Sequence, residues 1–472
     1  MSQHLFRCYL ALLCWVPLPL ASKAPLAQDV FILLVSALSI AVTAQALLRP
    51  RLVLAPALAR AWPAAICFAL LLGWLVLQQV PLPLEWIRIL SPARSQVTSP
   101  FSSDSTLALS FYAWGTWHQL LLSAAYAQLF FLTLALVDSE SRLRTLLYTV
   151  LVLGTLQALY GSLMTLTGIE KQLWYPKEAH LGAATGTLLN RNHLANYLTF
   201  AAAAGIGLLL ASARLEPAHN WRQFLRNLLQ WLVGSNGPLR LALLILVIGL
   251  VLTRSRMGTV AFFSSLSVAA LTWALLTRKL NSSLLALFGS LLLVDILLAG
   301  GWFGLDQIAE RIERGLAQTE LRQQMTPYLL AMAKDFWLTG TGAGTFADVF
   351  PLYKQQLTTV RFNEAHNDYL QFFIELGIIG SLPLLTLVAS SLYQCIQTIR
   401  TRHSRLLVAS GFSTLMALLA CGLHATVEYN LQRPATATLF VVFLALPWAS
   451  AHLVSNGRRH SRSNHRKDDS SG

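Results

Sequence analysis

Charge is what this chain has least of. Asp, Glu, Lys and Arg make up 12% of its 472 residues, about half the share of an ordinary soluble domain. Acidic residues are the scarcer sign, 21 against 35 basic ones. Cysteine is scarce too. Cys8, Cys14, Cys67, Cys395 and Cys421 all fall inside apolar stretches and no CxxC occurs, which argues against a disulfide frame or a zinc knuckle and for small buried hydrophobes. No HExxH or comparable ligand spacing is present, so no metal is expected. No Pro/Gly/Ser-rich linker divides the chain and nothing repeats at a fixed period, so one domain is expected.

Apolar sequence fills the space that charge leaves. Hydrophobic residues are 55% of the chain and the mean hydropathy is +0.54. Runs of about twenty apolar residues recur, each able to cross a hydrocarbon core of roughly 30 Å. About twelve spans are read, at roughly 4–21, 28–48, 62–81, 118–137, 145–167, 192–212, 240–255, 257–276, 283–303, 368–395, 405–426 and 435–455. The runs are too long for barrel strands, and backbone groups cannot stay unpaired in lipid. The expected fold class is therefore all-α, a polytopic membrane helix bundle. The first run, with Arg7 before it and Pro19-Leu20-Ala21-Ser22 after it, also fits a signal peptide. Cleavage there would leave every later loop on the same side.

The net charge of +14 is not spread as a nucleic-acid surface would need. It sits in alternate loops: Arg49, Arg51 and Arg60; Arg142 and Arg144; Arg214, Arg222 and Arg226; Arg278 and Lys279; Arg400, Arg402 and Arg405. A tail with Arg458, Arg459, Arg462, Arg466 and Lys467 follows. That is the positive-inside pattern, so these loops and the C-terminus are expected in the cytoplasm and no nucleic-acid partner is expected. The other loops then face outward. Three of them are long, at about 82–117, 168–191 and 304–367. Residues 305–333 of the third carry apolar positions at helical spacing, which predicts surface helices packed on the bundle.

The polar motifs collect on that outer side. Glu364-Ala365-His366-Asn367-Asp368-Tyr369-Leu370-Gln371 puts a histidine between carboxylates where the large loop re-enters the membrane. A titratable cluster is costly there, which points to chemistry, and an imidazole with a pKa near 6.5 suits proton transfer at neutral pH. Gly186-Thr187-Leu188-Leu189-Asn190-Arg191-Asn192-His193 opens the sixth span, and Thr253-Arg254-Ser255-Arg256-Met257-Gly258 forms a tight outer turn. Arginines at span ends often only reach for headgroups. Two in a tight outer turn ask for an anionic partner, and the guanidinium fork suits a phosphate or diphosphate. The run Gly340-Thr341-Gly342-Ala343-Gly344-Thr345 resembles a phosphate cradle but lacks the preceding strand and following Lys-Ser/Thr, so a tight turn is the better reading. His193 and His424 read as span-end hydrogen-bonders, and His180 adds a fourth outer histidine without metal-ligand spacing.

These residues resemble the O-antigen ligase/polymerase superfamily of bacterial inner-membrane glycan transferases. The resemblance is carried by GTLLNRNHLANYL at 186–198, TRSRMG at 253–258, and Arg322 followed by DFWLTGTGAGTF at 335–346. AHNDYLQFFIELGIIG at 365–380 and HATVEYNLQRPATA at 424–437 complete it. The resemblance divides the chain into membrane spans over 1–185, a ligase-like core over 186–437 that includes the outer loop 304–367, and a last span with a basic tail over 438–472. It implies transfer of a glycan from undecaprenyl diphosphate to an acceptor hydroxyl, lipid A–core or another glycan, at the periplasmic face of the inner membrane. The reaction would be inverting and would need no metal or cofactor. Arg191, Arg256 and Arg322, with Arg254 as a further candidate, are the implied diphosphate ligands, and His366 is the implied base. Asn190, His193, Glu364, Asp368 and Glu428 are possible supporting residues. The chain departs from the family's pattern at Thr326, where an aromatic is usual, and at Glu428, where Asp is usual. A polymerase or exopolysaccharide-assembly enzyme shares the same chemistry. A transporter or flippase fits the span number but not the gathering of polar residues at one face, since transporters place charge near mid-membrane.

Overall fold

A computed structural model describes residues 2–48, 55–97, 105–212, 236–277, 324–354 and 362–453. The protein is an all-α polytopic membrane bundle. Its principal helices are α1 (Gln3–Trp15), α2 (Pro25–Leu48), α3 (Trp62–Leu77), α4 (Ala113–Leu136), α5 (Glu140–Leu166) and α6 (Arg191–Ser212). They continue with α7 (Gly237–Leu252), α8 (Arg256–Thr277), α9 (Asp368–Thr401), α10 (Arg405–His424) and α11 (Pro434–Ser450). Among the described residues, seven of these are long and apolar enough to cross a membrane, and α3, α7 and α11 are shorter apolar helices. Among the described residues, strand is confined to two-residue ladders, Leu82–Pro83 with Thr106–Leu107 and Lys171–Gln172 with Tyr175–Pro176.

The helix boundaries follow from local chemistry. Ser139 caps α5 by accepting the Arg142 N–H, Asn367 caps α9 by accepting the Leu370 N–H at 3.0 Å, and Pro434 opens α11, where a missing N–H costs nothing. The first run is shorter than expected. Pro17 and Pro19 follow Trp15, and proline cannot continue the hydrogen-bond ladder. The 13 residues of α1 therefore rise only about 20 Å, short of a full crossing. The helix is nonetheless packed into the bundle: Tyr9 is fully buried and its hydroxyl lies 2.8 Å from that of Thr133 on α4. Ten of the other eleven expected spans each contain one helix of the bundle, and the one at 283–303 lies outside the described residues.

Helix α6 runs through the centre, buried along nearly its whole length, while α2 is mostly exposed at the periphery. The sequence explains the difference. Ala201 to Ala204, Gly205 and Gly207 give α6 a thin profile, and a Cβ on Gly205 would lie 2.8 Å from Leu243 of α7. Small residues let membrane helices approach closely enough for dispersion contacts to accumulate. Around α6 stand α5, α7, α10 and α8. Alternation of the helices puts two sets of loops at opposite ends. One end carries Arg60 beside His452 at 3.4 Å, Arg142, and Arg402, which bonds the Leu453 carbonyl. The other end gathers the turn at Pro17, the segments 78–97, 105–112, 167–190 and 252–255, the approach to α9, and the loop between α10 and α11. Cross-links such as Thr187 to Pro17, Gln78 to Thr339 and Asn192 to Glu428 hold it together.

Candidate functional site

The segment before α6 is fixed from below. Gly186 has φ +54, and a Cβ there would stand 2.5 Å from the Gln157 side chain of α5, a left-handed position with no room for a side chain. The Gln157 amide donates to the Thr187 hydroxyl at 2.9 Å and accepts the Thr187 N–H at 3.0 Å. That hydroxyl in turn donates to the Pro17 carbonyl at 2.6 Å. Leu189 also lies at positive φ, 65°. Asn190, nearly buried, then accepts the Asn192 N–H at 2.8 Å, an N-cap contact that starts α6 at Arg191. The start of α8 lies alongside: a Cβ on Gly258 would stand 2.5 Å from that of Ala195. Glycine at 258 thus lets the helix opened by Arg256 approach the first turns of the helix opened by Arg191.

The segment before α9 is tied to the loop between α10 and α11. Asn367 donates its amide to Thr426 O at 2.9 Å. The buried Asp368 accepts the Leu431 N–H at 3.1 Å while its own N–H donates to Ala425 O at 2.9 Å. This brings His366 to Glu428, with Nδ1 of the imidazole 3.6 Å from Oε2 of a carboxylate that is 1% exposed. The other oxygen, Oε1, accepts the Asn192 amide at 2.6 Å. The imidazole keeps 28% of its side-chain surface open, enough to reach a reactant. Its backbone φ is +52, a conformation that costs of order 1 kcal/mol for a side-chain-bearing residue and recurs at functional sites. Tyr429 stands between two imidazoles, its ring 4.7 Å from His366 and 4.8 Å from the buried His193, nearly perpendicular to both.

The carboxylates that flank His366 in sequence have different partners. Glu364 pairs with Arg433 at 3.0 Å and accepts the Gln371 amide at 2.8 Å. Asp368 is spent on the backbone of the facing loop. The carboxylate beside the imidazole comes from 62 residues further on, Glu428, a pairing that adjacency in sequence could not reveal. Asn192, Gln371, Tyr429 and Arg433 lie within the motifs named from the sequence, but the sequence assigned them no role. The aromatic and the arginine do lie in the polar stretch between the last two spans, so a signal was there.

Cations and helix ends give this face its electrostatic character. Helices α6, α8 and α9 all begin here, and unpaired first-turn N–H groups carry partial positive charge. Arg256 is exposed at the start of α8 and Arg191 half-buried at the start of α6. Arg254, at φ +55, turns toward the loop 167–186, its Nη1 within 3.3 Å of where a Cβ on Gly182 would be. There Glu170 bonds the buried Lys177 ammonium at 3.0 Å and accepts the Gly182 N–H at 2.7 Å. Burial pushes the Glu170 carboxyl up. The Gly182 N–H, Lys177 and Arg254 together outweigh that and hold it below its ordinary value. Arg322 lies outside the described residues. Among the described residues no cluster of three or more metal-ligating side chains is present.

The glycine run is a structural device. Helix α9 breaks at Gly377, where φ is +63 and ψ −174, and the segment 337–346 packs into the break. Thr341 N–H donates to Ile374 O at 2.9 Å, Gly342 N–H to Glu375 O at 3.1 Å and Ile378 N–H to Trp337 O at 2.8 Å. The buried Glu375 side chain accepts the Gly344 N–H at 2.8 Å, and Gln78 of the loop after α3 bonds the carbonyls of Thr339 and Glu375 and the N–H of Ala343. Gly340, Gly342 and Gly344 all have positive φ, and a Cβ on Gly340 would overlap the Glu375 carbonyl. The three glycines supply close backbone approach in a re-entrant segment, and their N–H groups are directed at protein acceptors. Beside the segment, the helical stretch 324–335 buries Met325, Leu329 and Met332 against Phe346, Phe350 and Ile374; the rest of the expected surface helices, 305–323, lies outside the described residues.

A bundle of membrane helices with arginines, a histidine and a buried carboxylate gathered at one end defines, among the described residues, a polytopic membrane protein with a polar face at that end. Comparison with protein families identifies the class: residues 241–385 match the family described as O-antigen ligase. That stretch of the chain is thus similar to the O-antigen ligase family. The matched region runs from α7 through Arg254, Arg256, the re-entrant segment and His366 into α9. No curated protein matches the chain significantly.

Proposed function

We propose that this protein transfers a glycan from an undecaprenyl diphosphate carrier to a hydroxyl of lipid A–core, at the periplasmic face of the bacterial inner membrane. The observation that carries the reading is His366, an accessible imidazole held beside the buried Glu428 carboxylate on the face where α6, α8 and α9 begin. Diphosphate is already a competent leaving group, so two tasks remain: neutralising its charge and activating the incoming hydroxyl. Arg191, Arg256 and Arg322, with Arg254, take the first task through forked hydrogen bonds to phosphate oxygens, reinforced by the helix ends. His366 takes the second. As the acceptor oxygen attacks the anomeric carbon, the bond from that carbon to the diphosphate oxygen breaks, and the acceptor proton passes to the imidazole, whose positive charge Glu428 balances. A single displacement of this kind inverts the anomeric centre. Asn190 and Asn192 hold the start of α6 and the Glu428 carboxylate in register, and His193 and Asp368 fix the wall behind them.

The test is the surface-glycan profile of a deletion strain complemented with wild type or His366→Ala. The reading expects carrier-linked glycan to accumulate and lipopolysaccharide to lose its long chains in both the deletion and the variant. Transfer should fall by about 10²–10⁴-fold, the value of a general base. Lipopolysaccharide capped with single repeats would assign a polymerase instead. Intact lipopolysaccharide with a missing secreted polymer would assign exopolysaccharide assembly. Normal profiles in the His366→Ala strain would remove His366 from the chemistry.

A further inference from the structure

The contacts around His366 form a closed circuit that the proposed reaction does not require but that explains how the imidazole is held. Starting from the residue before it, the Ala365 N–H donates to Oε1 of Gln371 at 2.9 Å. The amide of the same Gln371 donates to Oε2 of Glu364 at 2.8 Å. Oε1 of Glu364 pairs with Arg433 at 3.0 Å. The Arg433 guanidinium stands 4.9 Å from the centre of the Tyr429 ring, and that ring meets the His366 imidazole at 4.7 Å. Every member of the circuit is buried or half-buried. The circuit is anchored at its inner edge, where the Gln371 amide also lies 3.4 Å from Glu375 at the break of α9.

We propose that Arg433, Tyr429 and Gln371 are positioning residues for His366, acting as a clamp that fixes the imidazole's plane against the acceptor hydroxyl. Three observations carry this. The first is the left-handed backbone of His366, a conformation the chain leaves unless neighbours hold it. The second is that His366 stands 3.6 Å from the buried Glu428 carboxylate with 28% of its side-chain surface open, so the side chains packed against the ring bear on its orientation. The third is Tyr429 itself, whose ring is gripped by His193 on one contact, His366 on another and the Arg433 cation on a third. Arg433 thus serves the site without offering its charge to the donor: Glu364 neutralises it and the aromatic ring covers it. The clamp rests on the reading of His366 as the base, and it adds a requirement for that imidazole's orientation.

The experiment measures two things on the full-length protein in native membranes: glycan transfer in the complemented deletion strain, and the rate at which diethyl pyrocarbonate acylates His366, read by peptide mass spectrometry. The variants are Arg433→Met, Arg433→Lys, Tyr429→Leu and Gln371→Leu, each checked for wild-type abundance and detergent-extracted size. Arg433→Met, Tyr429→Leu and Gln371→Leu are expected to cut transfer at least tenfold and to raise His366 acylation severalfold, since a freed imidazole is more accessible. Arg433→Lys, which keeps one contact to Glu364 and a cation over the ring, is expected to restore transfer to within a few-fold of wild type. Wild-type acylation rates in all three disruptive variants would overturn the clamp, whatever transfer did. Equal losses in Arg433→Met and Arg433→Lys would overturn it as well. If His366→Ala retained transfer while the disruptive variants still raised acylation, the base reading would fall and the clamp would stand as a structural fact.

Discussion

At the scale of single residues, the site is a set of charges held by more than one partner each, and substitutions separate their roles. Glu428 touches both His366 and Asn192. Glu428→Gln keeps a hydrogen-bond acceptor for the asparagine but removes the negative charge beside the imidazole. We expect normal abundance and a loss of transfer of at least tenfold, read in the surface-glycan profile. Glu428→Ala leaves the Asn192 amide without that acceptor and should in addition destabilise the fold by about 1–3 kcal/mol, seen as lower yield and an earlier melt in detergent. Arg256→Lys tests the other half of the chemistry. The residue is exposed, so the fold should not notice, but the fork is lost, and transfer should fall by about tenfold, the worth of one charge-assisted hydrogen bond. The sequence made His366 legible because a histidine at a membrane boundary is costly. It could not show that Glu364 and Asp368 point elsewhere, because side-chain direction at a left-handed residue departs from what neighbour spacing implies. Nor could it bring Glu428 across from another loop.

At the scale of elements, the most informative one is the broken helix α9. Its continuous apolar sequence predicts a single span, and one span is present, yet Gly377 interrupts it and the run 337–346 fills the gap. Backbone groups freed inside a membrane protein must be paired, and here the paired strand of loop is drawn from the large outer segment. Gly340→Ala and Gly377→Ala should each cost upward of about 2 kcal/mol, since both combine left-handed backbone with a Cβ that overlaps a carbonyl, of Glu375 and Leu338 respectively. Gly73→Ala, with open space around it, should be neutral or slightly stabilising, and thermal melts of the three variants make the comparison. The sequence signalled a turn at the glycines but not what the turn packs against, because the acceptors belong to Glu375 and Gln78, 31 and more than 260 residues away from the groups they bond. The loop 167–186 gives a second element-scale prediction. The Glu170 carboxyl is depressed below its ordinary value of 4.5, so its pairing stabilises the loop above that pH and the contribution is lost as pH falls through the lowered value. Glu170→Gln should therefore melt earlier than wild type at pH 7, and the two should converge as the pH falls below the lowered value.

At the scale of the whole molecule, charge placement and site placement are one fact seen twice. Arg60, Arg142 and Arg402 mark one end of the bundle, whereas His366, Glu428, Arg191 and Arg256 mark the other. Positive charge is retained on the cytoplasmic side during insertion, so the end with the histidine should face the periplasm, where a carrier-linked glycan is presented. The two arginines at the outer turn then run against the insertion bias, and a membrane protein keeps such residues only where a ligand repays them. The orientation can be read directly. In a background with all five cysteines replaced, Glu178→Cys and Thr426→Cys, both exposed at the histidine end, should react with a membrane-impermeant maleimide in intact cells. Ser141→Cys, exposed at the other end, should react only after the inner membrane is opened. The reverse pattern would put the imidazole and the arginines in the cytoplasm, and the reading of a periplasmic site would fall. The agreement or conflict is decisive because α6 and α9 deliver Arg191 and His366 to the same end: no rearrangement of loops could rescue the reading if that end faced inward.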